Sequence, residues 1–257
     1  MAKNSGIEWT EDSWNPTSGC KAVSPGCENC YAMRFAHRMA NAKHRAVREA
    51  YRGTTRLSGG RPKWTGKIGL IEHRLAQPYT WKTSHLVFVD SMSDLFHEDI
   101  PLDYIRRVFE VMEATPKHTY QILTKRSERL QKLSSSLPWP RNVWMGVSVE
   151  NQDYWFRVDD LRHVPVHVRF LSLKPLLGPL LTNDLKDIHW VIVGGESAPK
   201  ARPINPEWVR SIREDCLRQR VPFFFKQWGG INKKATGRVL DGRIWDQMPP
   251  RRTGLLF

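Results

Sequence analysis

Residues 143–173 read VWMGVSVENQDYWFRVDDLRHVPVHVRFLSL, and this stretch decides the fold. Two short apolar runs, 143–149 and 168–173, flank a segment, 152–162, whose apolar residues recur at helical spacing. Short β-branched and aromatic runs fit buried strands, and a helical crossover between two such strands makes them parallel. Outward from this unit the pattern repeats. Further runs stand at 85–90 (HLVFVD), 119–124 (TYQILT), 190–193 (WVIV) and 222–226 (PFFFK). Helical stretches occupy 102–114, 127–133 and 206–220, the last opening on Pro206 with Asn205 placed to cap it. An earlier strand is expected at 6–9, and a helix at 31–49. About seven strands alternating with helices predict an α/β fold, a complete or partial (βα) barrel of parallel strands, with an open doubly wound sheet as the alternative.

The 257 residues fit one domain. Residues 52–82 break the rhythm with glycine, proline and basic residues and read as an insertion or lid; the tail from about 229 is irregular. No apolar run approaches membrane-spanning length, and the first residues lack the apolar core of a secretory signal, so a soluble cytoplasmic protein is expected. Lys and Arg number 40 against 26 Asp and Glu, a formal charge of +14, which points to a polyanionic partner, nucleic acid first. A merely solvated basic surface is the alternative. Between residues 34 and 82 basic side chains interleave with Trp64, Tyr79 and Trp81, a combination suited to neutralising phosphates and stacking on bases.

Parallel α/β folds place chemistry at the carboxyl ends of strands. Here those ends are polar: Asp90, Ser91, Ser93 and Asp94; Lys125 and Arg126; Ser148, Glu150 and Asn151; Ser172 and Lys174; Gly194, Gly195 and Glu196; Lys226 and Gln227. Lys125, Arg126, Lys226 and Gln227 are candidate substrate contacts, since lysine and arginine hold carboxylate or phosphate. Asp94 and Asn151 could equally cap local turns.

The strongest local signal is Cys20-x6-Cys27-x2-Cys30, with glycine and proline between the cysteines so that the loop can wrap a centre. Three clustered thiols suggest metal ligands. An iron–sulfur cluster held by three cysteines keeps one iron open to an outside ligand. Zinc is the rival, with Cys216 or His37 as a fourth ligand. Cys216 sits in IREDCLRQR and otherwise reads as a packed helical residue.

The cysteine loop after a first strand resembles the radical S-adenosylmethionine superfamily, although the spacing common there is C-x3-C-x2-C. Over nearly the whole chain, IEWTEDSWNPTSGC, CENCYA, VDSMSDLFHE, LTKR, GVSVEN, RFLSLKPLLGPL, VIVGGES and PFFFKQWGG resemble the phage gp-thirty-seven/gp-sixty-eight family, a radical-SAM-like group. Lys174 departs from it, standing where an acidic residue is expected. The resemblance implies a radical SAM-like barrel in which Cys20, Cys27 and Cys30 hold a [4Fe-4S] cluster. It also implies S-adenosylmethionine, cleaved to a 5′-deoxyadenosyl radical, and an external electron donor. Ser91, Ser93 and Asp94 would take the place of the segment that holds the methionine amino group, with Ser148, Glu150, Gly194, Gly195 and Glu196 as further cofactor contacts. Similar phage enzymes imply a nucleobase in DNA as substrate, specifically isomerisation of 5-glycinyl-thymidine in thymine hypermodification. Repair of a pyrimidine photolesion and a zinc-stabilised DNA-binding accessory protein are the alternatives. Tyr31, Tyr154 and Cys216 are conceivable hydrogen-atom donors.

Overall fold

The computed structural model describes residues 6–250. Its centre is an all-parallel sheet of seven strands: β1 (Asp12–Trp14), β2 (Leu86–Val89), β3 (Thr119–Thr124), β4 (Val143–Ser148), β5 (Val168–Leu173), β6 (Trp190–Gly194) and β7 (Phe223–Gln227). Strands adjacent in sequence are adjacent in space from β1 to β7. A doubly wound sheet reverses its order at a switch point, whereas this order runs one way, as in a barrel. The edge strands β1 and β7 do not pair with each other, so the barrel is partial.

The strands alternate strictly between two faces, as a pleated backbone requires. Val143, Met145 and Val147 of β4 join Val87, Val89, Ile122, Leu171 and Val191 in the core under the helices. Those helices are α3 (Leu102–Ala114), α4 (Ser127–Ser134), α5 (Phe156–Arg162) and α6 (Pro206–Arg218). Helix α3 follows the rule of one buried stripe, turning Tyr104, Ile105, Val108, Phe109 and Met112 inward. Ahead of β2 stand α1 (Tyr31–Ala40) and α2 (Arg45–Tyr51).

The other face is concave. Trp9 places its ring 4.7 Å from Phe88 of β2, 6.3 Å from Phe170 of β5 and 6.1 Å from Trp190 of β6. In a flat sheet β2 and β6 would lie about 19 Å apart, four strand spacings, which no indole spans. The sheet is therefore curled around Trp9. Gly146 makes the inner packing possible, because a Cβ there would stand 2.5 Å from the Phe170 ring. Along the concave face the register lifts the composition from apolar to polar: Trp144 pairs with Val168 and Gly146 with Phe170, then Ser148 with Ser172 at the strand ends. An aromatic floor thus supports a polar rung.

Three expectations about elements need correction. Residues 6–9 are not a strand; Trp9 is drawn across the concave face, Gln121 donates to its carbonyl at 3.3 Å, and β1 starts at Asp12. The helix expected over 31–49 is two, because the Asn41 side chain takes the His37 carbonyl at 2.9 Å and α1 stops at Ala40. The segment 152–162 begins as a 3₁₀ turn (Gln152–Tyr154) before α5. The 52–82 segment contains a hairpin of Thr55–Ser58 with Arg61–Trp64, and its Gly69–Leu70 pairs antiparallel with Thr17–Ser18 beside the cysteine loop.

Trp190 touches Trp9, Trp144, Phe170 and Phe224 in the concave floor. Trp190→Ala is expected to cost about 3–5 kcal/mol of stability, read from urea unfolding. A loss below about 1 kcal/mol would show that the floor is not a packed core.

Candidate active site

The loop bearing Cys20, Cys27 and Cys30 crosses the carboxyl ends of the strands. Gly19, at φ +86°, lies so close to the insertion that a Cβ would be 2.0 Å from the Lys67 carbonyl oxygen, so glycine alone fits before Cys20. All three thiols line one cavity of about 1090 Å³ including its mouth. Trp9, Phe88 and Leu123 form its floor, and Ser148, Ser172, Lys125, Lys174 and Lys226 its polar wall.

Three arginine–carboxylate pairs lie against this loop, each based on a different strand end; two of them bond it and one packs beneath it. After β2, Asp94 accepts from Thr124 at 2.7 Å and from Arg126 Nη1 at 3.0 Å. That same Nη1 lies 3.8 Å from the Cys20 thiol, and Arg126 Nη2 donates to the Lys21 carbonyl at 3.2 Å. After β4, Glu150 and Arg157 form a fully buried pair at 2.9 Å. A Cβ on Gly26 would stand 2.9 Å from Glu150 Oε1, so the pair lies directly under the loop. After β6, Glu196 binds Arg202 and accepts from Asn29 at 2.9 Å, while Arg202 donates to the Pro25 carbonyl at 2.9 Å.

The serines complete the clasp. Ser93 donates to the Gly19 carbonyl at 2.7 Å, Ser91 donates to Asn15 at 3.0 Å, and Tyr31 donates to the Ser91 carbonyl at 3.0 Å. Asn15 thereby ties the first strand's end to the second, since the Met92 amide also donates to it at 3.1 Å.

These contacts redistribute the expected roles. Asp94, Arg126 and Glu196 reach the cavity wall, but each is engaged in a pair that positions the cysteine loop. Glu150 is buried with Arg157 and does not line the cavity. Gly194 and Gly195 also lie outside the lining; Gly195 serves packing, since a Cβ would meet the Trp228 carbonyl oxygen at 1.9 Å. Gln227 turns away and donates to the Gly195 carbonyl at 3.1 Å. Tyr154 stacks on Arg157 at 4.3 Å outside the cavity, and Cys216 is fully buried in the convex-side core on α6. Tyr31, Lys125 and Lys226 do face the cavity, and Lys226 pairs with Glu8 at 3.5 Å over the Trp9 ring. Arg202 gave no sequence signal, because its partner's strand end and the loop it holds are more than 160 residues from each other in the chain.

The electrostatics bear on what the thiols can hold. Burial pushes Cys20 up to about 12, Asp94 adds to this, and Arg126 opposes it. Cys30 is raised by burial and then by Cys27. Alone, the Cys20 and Cys30 thiols stay protonated at neutral pH; bound to a metal centre they would be thiolates. Among the described residues, no three or more His, Cys, Asp or Glu side chains converge closely enough to hold a metal ion.

Fold and site together define an α/β partial-barrel protein with a three-cysteine loop over the carboxyl ends of its strands. The chain belongs to the family described as "Protein of unknown function (DUF5131)", whose model matches residues 4–249. No curated protein matches it. Among solved structures it is similar to a cysteine-to-serine mutant of spore photoproduct lyase, at 13% identity and a TM-score of 0.46 over 82% of this chain. The chain spans 62% of that protein's length. No helix among the described residues is long and apolar enough to cross a membrane.

Asp90 adds a titrating group to the cavity wall. It is buried at φ +55°, its Oδ1 accepts from the Thr17 amide at 3.1 Å, and its Oδ2 has no partner. Burial pushes its carboxyl from 3.8 up to about 7; hydrogen bonding from Thr17 lowers it, Asp94 raises it and Arg74 lowers it. Between these values the folded chain keeps a proton that the unfolded chain releases, so this group's contribution to stability falls as pH rises from about 4 to about 7. The stability of Asp90→Asn minus that of the natural protein should therefore grow across that window, by about 4 kcal/mol at most. Urea unfolding at several pH values measures it; a pH-independent difference would contradict the shift.

Proposed function

We propose that this chain is a radical S-adenosylmethionine enzyme that modifies a nucleobase in DNA, in the manner of the phage family its sequence resembles. The observation that carries the reading is that Cys20, Cys27 and Cys30 line one cavity at the carboxyl ends of a parallel partial barrel. The donor set fits a [4Fe-4S] cluster: three soft thiols on one loop, facing one cavity. When bound, the cluster and S-adenosylmethionine supply hydrogen-atom abstraction.

The chain's own residues supply the rest. Arg126 and Arg202 hold the thiol loop in register with the strands by hydrogen bonds to the Lys21 and Pro25 carbonyls, and the Glu150–Arg157 pair packs under Gly26. Lys125, Lys174 and Lys226 give the wall a positive character suited to carboxylate or phosphate groups. Ser148 and Ser172, paired across β4 and β5, offer hydroxyls to a sugar or base edge. The aromatic floor of Trp9, Phe88 and Phe170 keeps water from the closed end, which protects a reactive carbon centre. An α-amino-acid substituent on a pyrimidine would find Lys125 in the wall for its carboxylate and an apolar floor for its ring, so isomerisation of 5-glycinyl-thymidine is the specific reaction proposed.

The test is anaerobic purification and reconstitution, with iron and acid-labile sulfide counted and 5′-deoxyadenosine release followed after reduction and addition of S-adenosylmethionine. Cys20→Ala, Cys27→Ala and Cys30→Ala should each reduce iron content and release to background. Cys216→Ala should leave both intact. Stoichiometric zinc with no release from the natural sequence would overturn the reading.

A further inference from the structure

A second groove opens beside the cavity, between α1 and the 55–64 hairpin. It encloses about 580 Å³ including its mouth, and Arg34, Arg61 and Lys63 line it with Met33 and Pro62. It shares Asn29 and Cys30 with the lining of the cysteine-lined cavity, so the two spaces adjoin at the third cysteine. We infer that this groove tracks the phosphate backbone of a single nucleic-acid strand whose base enters the cavity. The inference rests on the nucleic-acid part of the function proposed above and gives that substrate a place to bind.

Charge supports it first. Residues 31–67 carry ten Lys and Arg against a single acid, Glu49, so they account for +9 of the chain's formal +14. Glu49 is itself paired with Arg45 at 2.7 Å. The acid in the groove wall, Glu28, lies 3.4 Å from Arg202, which offsets its charge. A solvated basic surface would need no concavity, whereas here the cations flank a groove that shares Asn29 and Cys30 with the wall of the candidate site.

Geometry adds a second reason. Arg34 and Arg38 stand one helical turn apart on α1, and the Arg38 guanidinium lies 4.6 Å over the exposed Phe35 ring. An exposed ring with a flanking guanidinium is a surface on which an unpaired base can stack. Opposite it, the hairpin turns through Gly59 and Gly60, both at positive φ, where a Cβ would meet nothing within 4 Å. Those glycines serve the turn and leave its tip open to a bound strand. Lys63 Nζ also donates to the Glu28 carbonyl at 3.3 Å, so the hairpin rests on the cysteine loop. A base reaches the cavity from this side only when it is unpaired, which is why a single strand, or a locally melted one, is the fitting partner.

Fluorescence anisotropy with a labelled single-stranded DNA of about 20 nucleotides, and with its duplex, tests this. The natural sequence should bind the single strand more tightly. Arg34→Ala/Arg61→Ala/Lys63→Ala should weaken binding at low salt by at least about tenfold and flatten the slope of log affinity against log salt by about 2. Arg34→Lys/Arg61→Lys should retain most of the binding, showing that charge and not folding is at issue. Arg141→Ala/Lys186→Ala, two exposed cations ahead of β4 and β6 at the far end of the strands, should bind like the natural sequence. Tighter binding to the duplex, equal affinity and slope in the triple variant, or no binding by the natural sequence would overturn the inference. Iron content is measured on the same preparations: loss of DNA binding with full iron leaves the cluster assignment standing, whereas loss of iron in the natural sequence strikes that assignment instead.

Discussion

The site depends on three arginine–carboxylate pairs beneath one loop. Asp94 with Arg126, Glu150 with Arg157 and Glu196 with Arg202 rise from the ends of β2, β4 and β6, and each touches a different part of the 20–30 segment. A buried pair adds little net stability relative to an apolar one, but removing one member leaves an uncompensated charge and costs about 3–5 kcal/mol. Such pairs select a geometry. Here the selected geometry is the position of three thiols over the barrel mouth, and the loop has only a short 3₁₀ turn, Pro25–Cys27, of its own to hold it there.

The curl of the sheet serves the same end. A flat sheet would spread the strand ends apart, and the cysteine loop could not reach Asp94, Glu150 and Glu196 together. Trp9 sets that curl by filling the concave side, and Gly146 admits the Phe170 ring beside it. The floor is thus apolar and dense while the rung above it, Ser148 and Ser172, is polar. One residue pair along each strand separates a folding core from a chemical surface.

The central strands were legible because buried parallel strands are short, β-branched and bounded by polar residues; 119–124 and 168–173 are strands at the limits expected. The N-terminal strand was not, because Trp9 in IEW satisfies strand propensity while its ring is claimed by tertiary packing across the sheet. The α1–α2 break was hidden because Asn41 interrupts a helix through a side-chain hydrogen bond that no periodicity shows. The polar strand ends and the cysteine loop lie at the same end of the barrel. Polarity did not separate side chains that face the cavity, such as Lys125 and Lys226, from those that hold the loop, such as Asp94 and Glu150. That distinction lies in arginine partners 7 to 32 residues away, whose pairing follows from the fold. The chain's +14 charge, by contrast, pointed to its basic N-terminal third directly, since charge needs no register to be read.

The account stands on one claim, that three cysteines hold a cluster with one iron left open. Electron paramagnetic resonance of the reduced, reconstituted protein, recorded with and without S-adenosylmethionine, tests it most directly. The account predicts a reduced cluster signal that changes shape when S-adenosylmethionine is added, because the open iron gains a ligand. A signal unaltered by S-adenosylmethionine, or no cluster signal from protein carrying zinc, would contradict it.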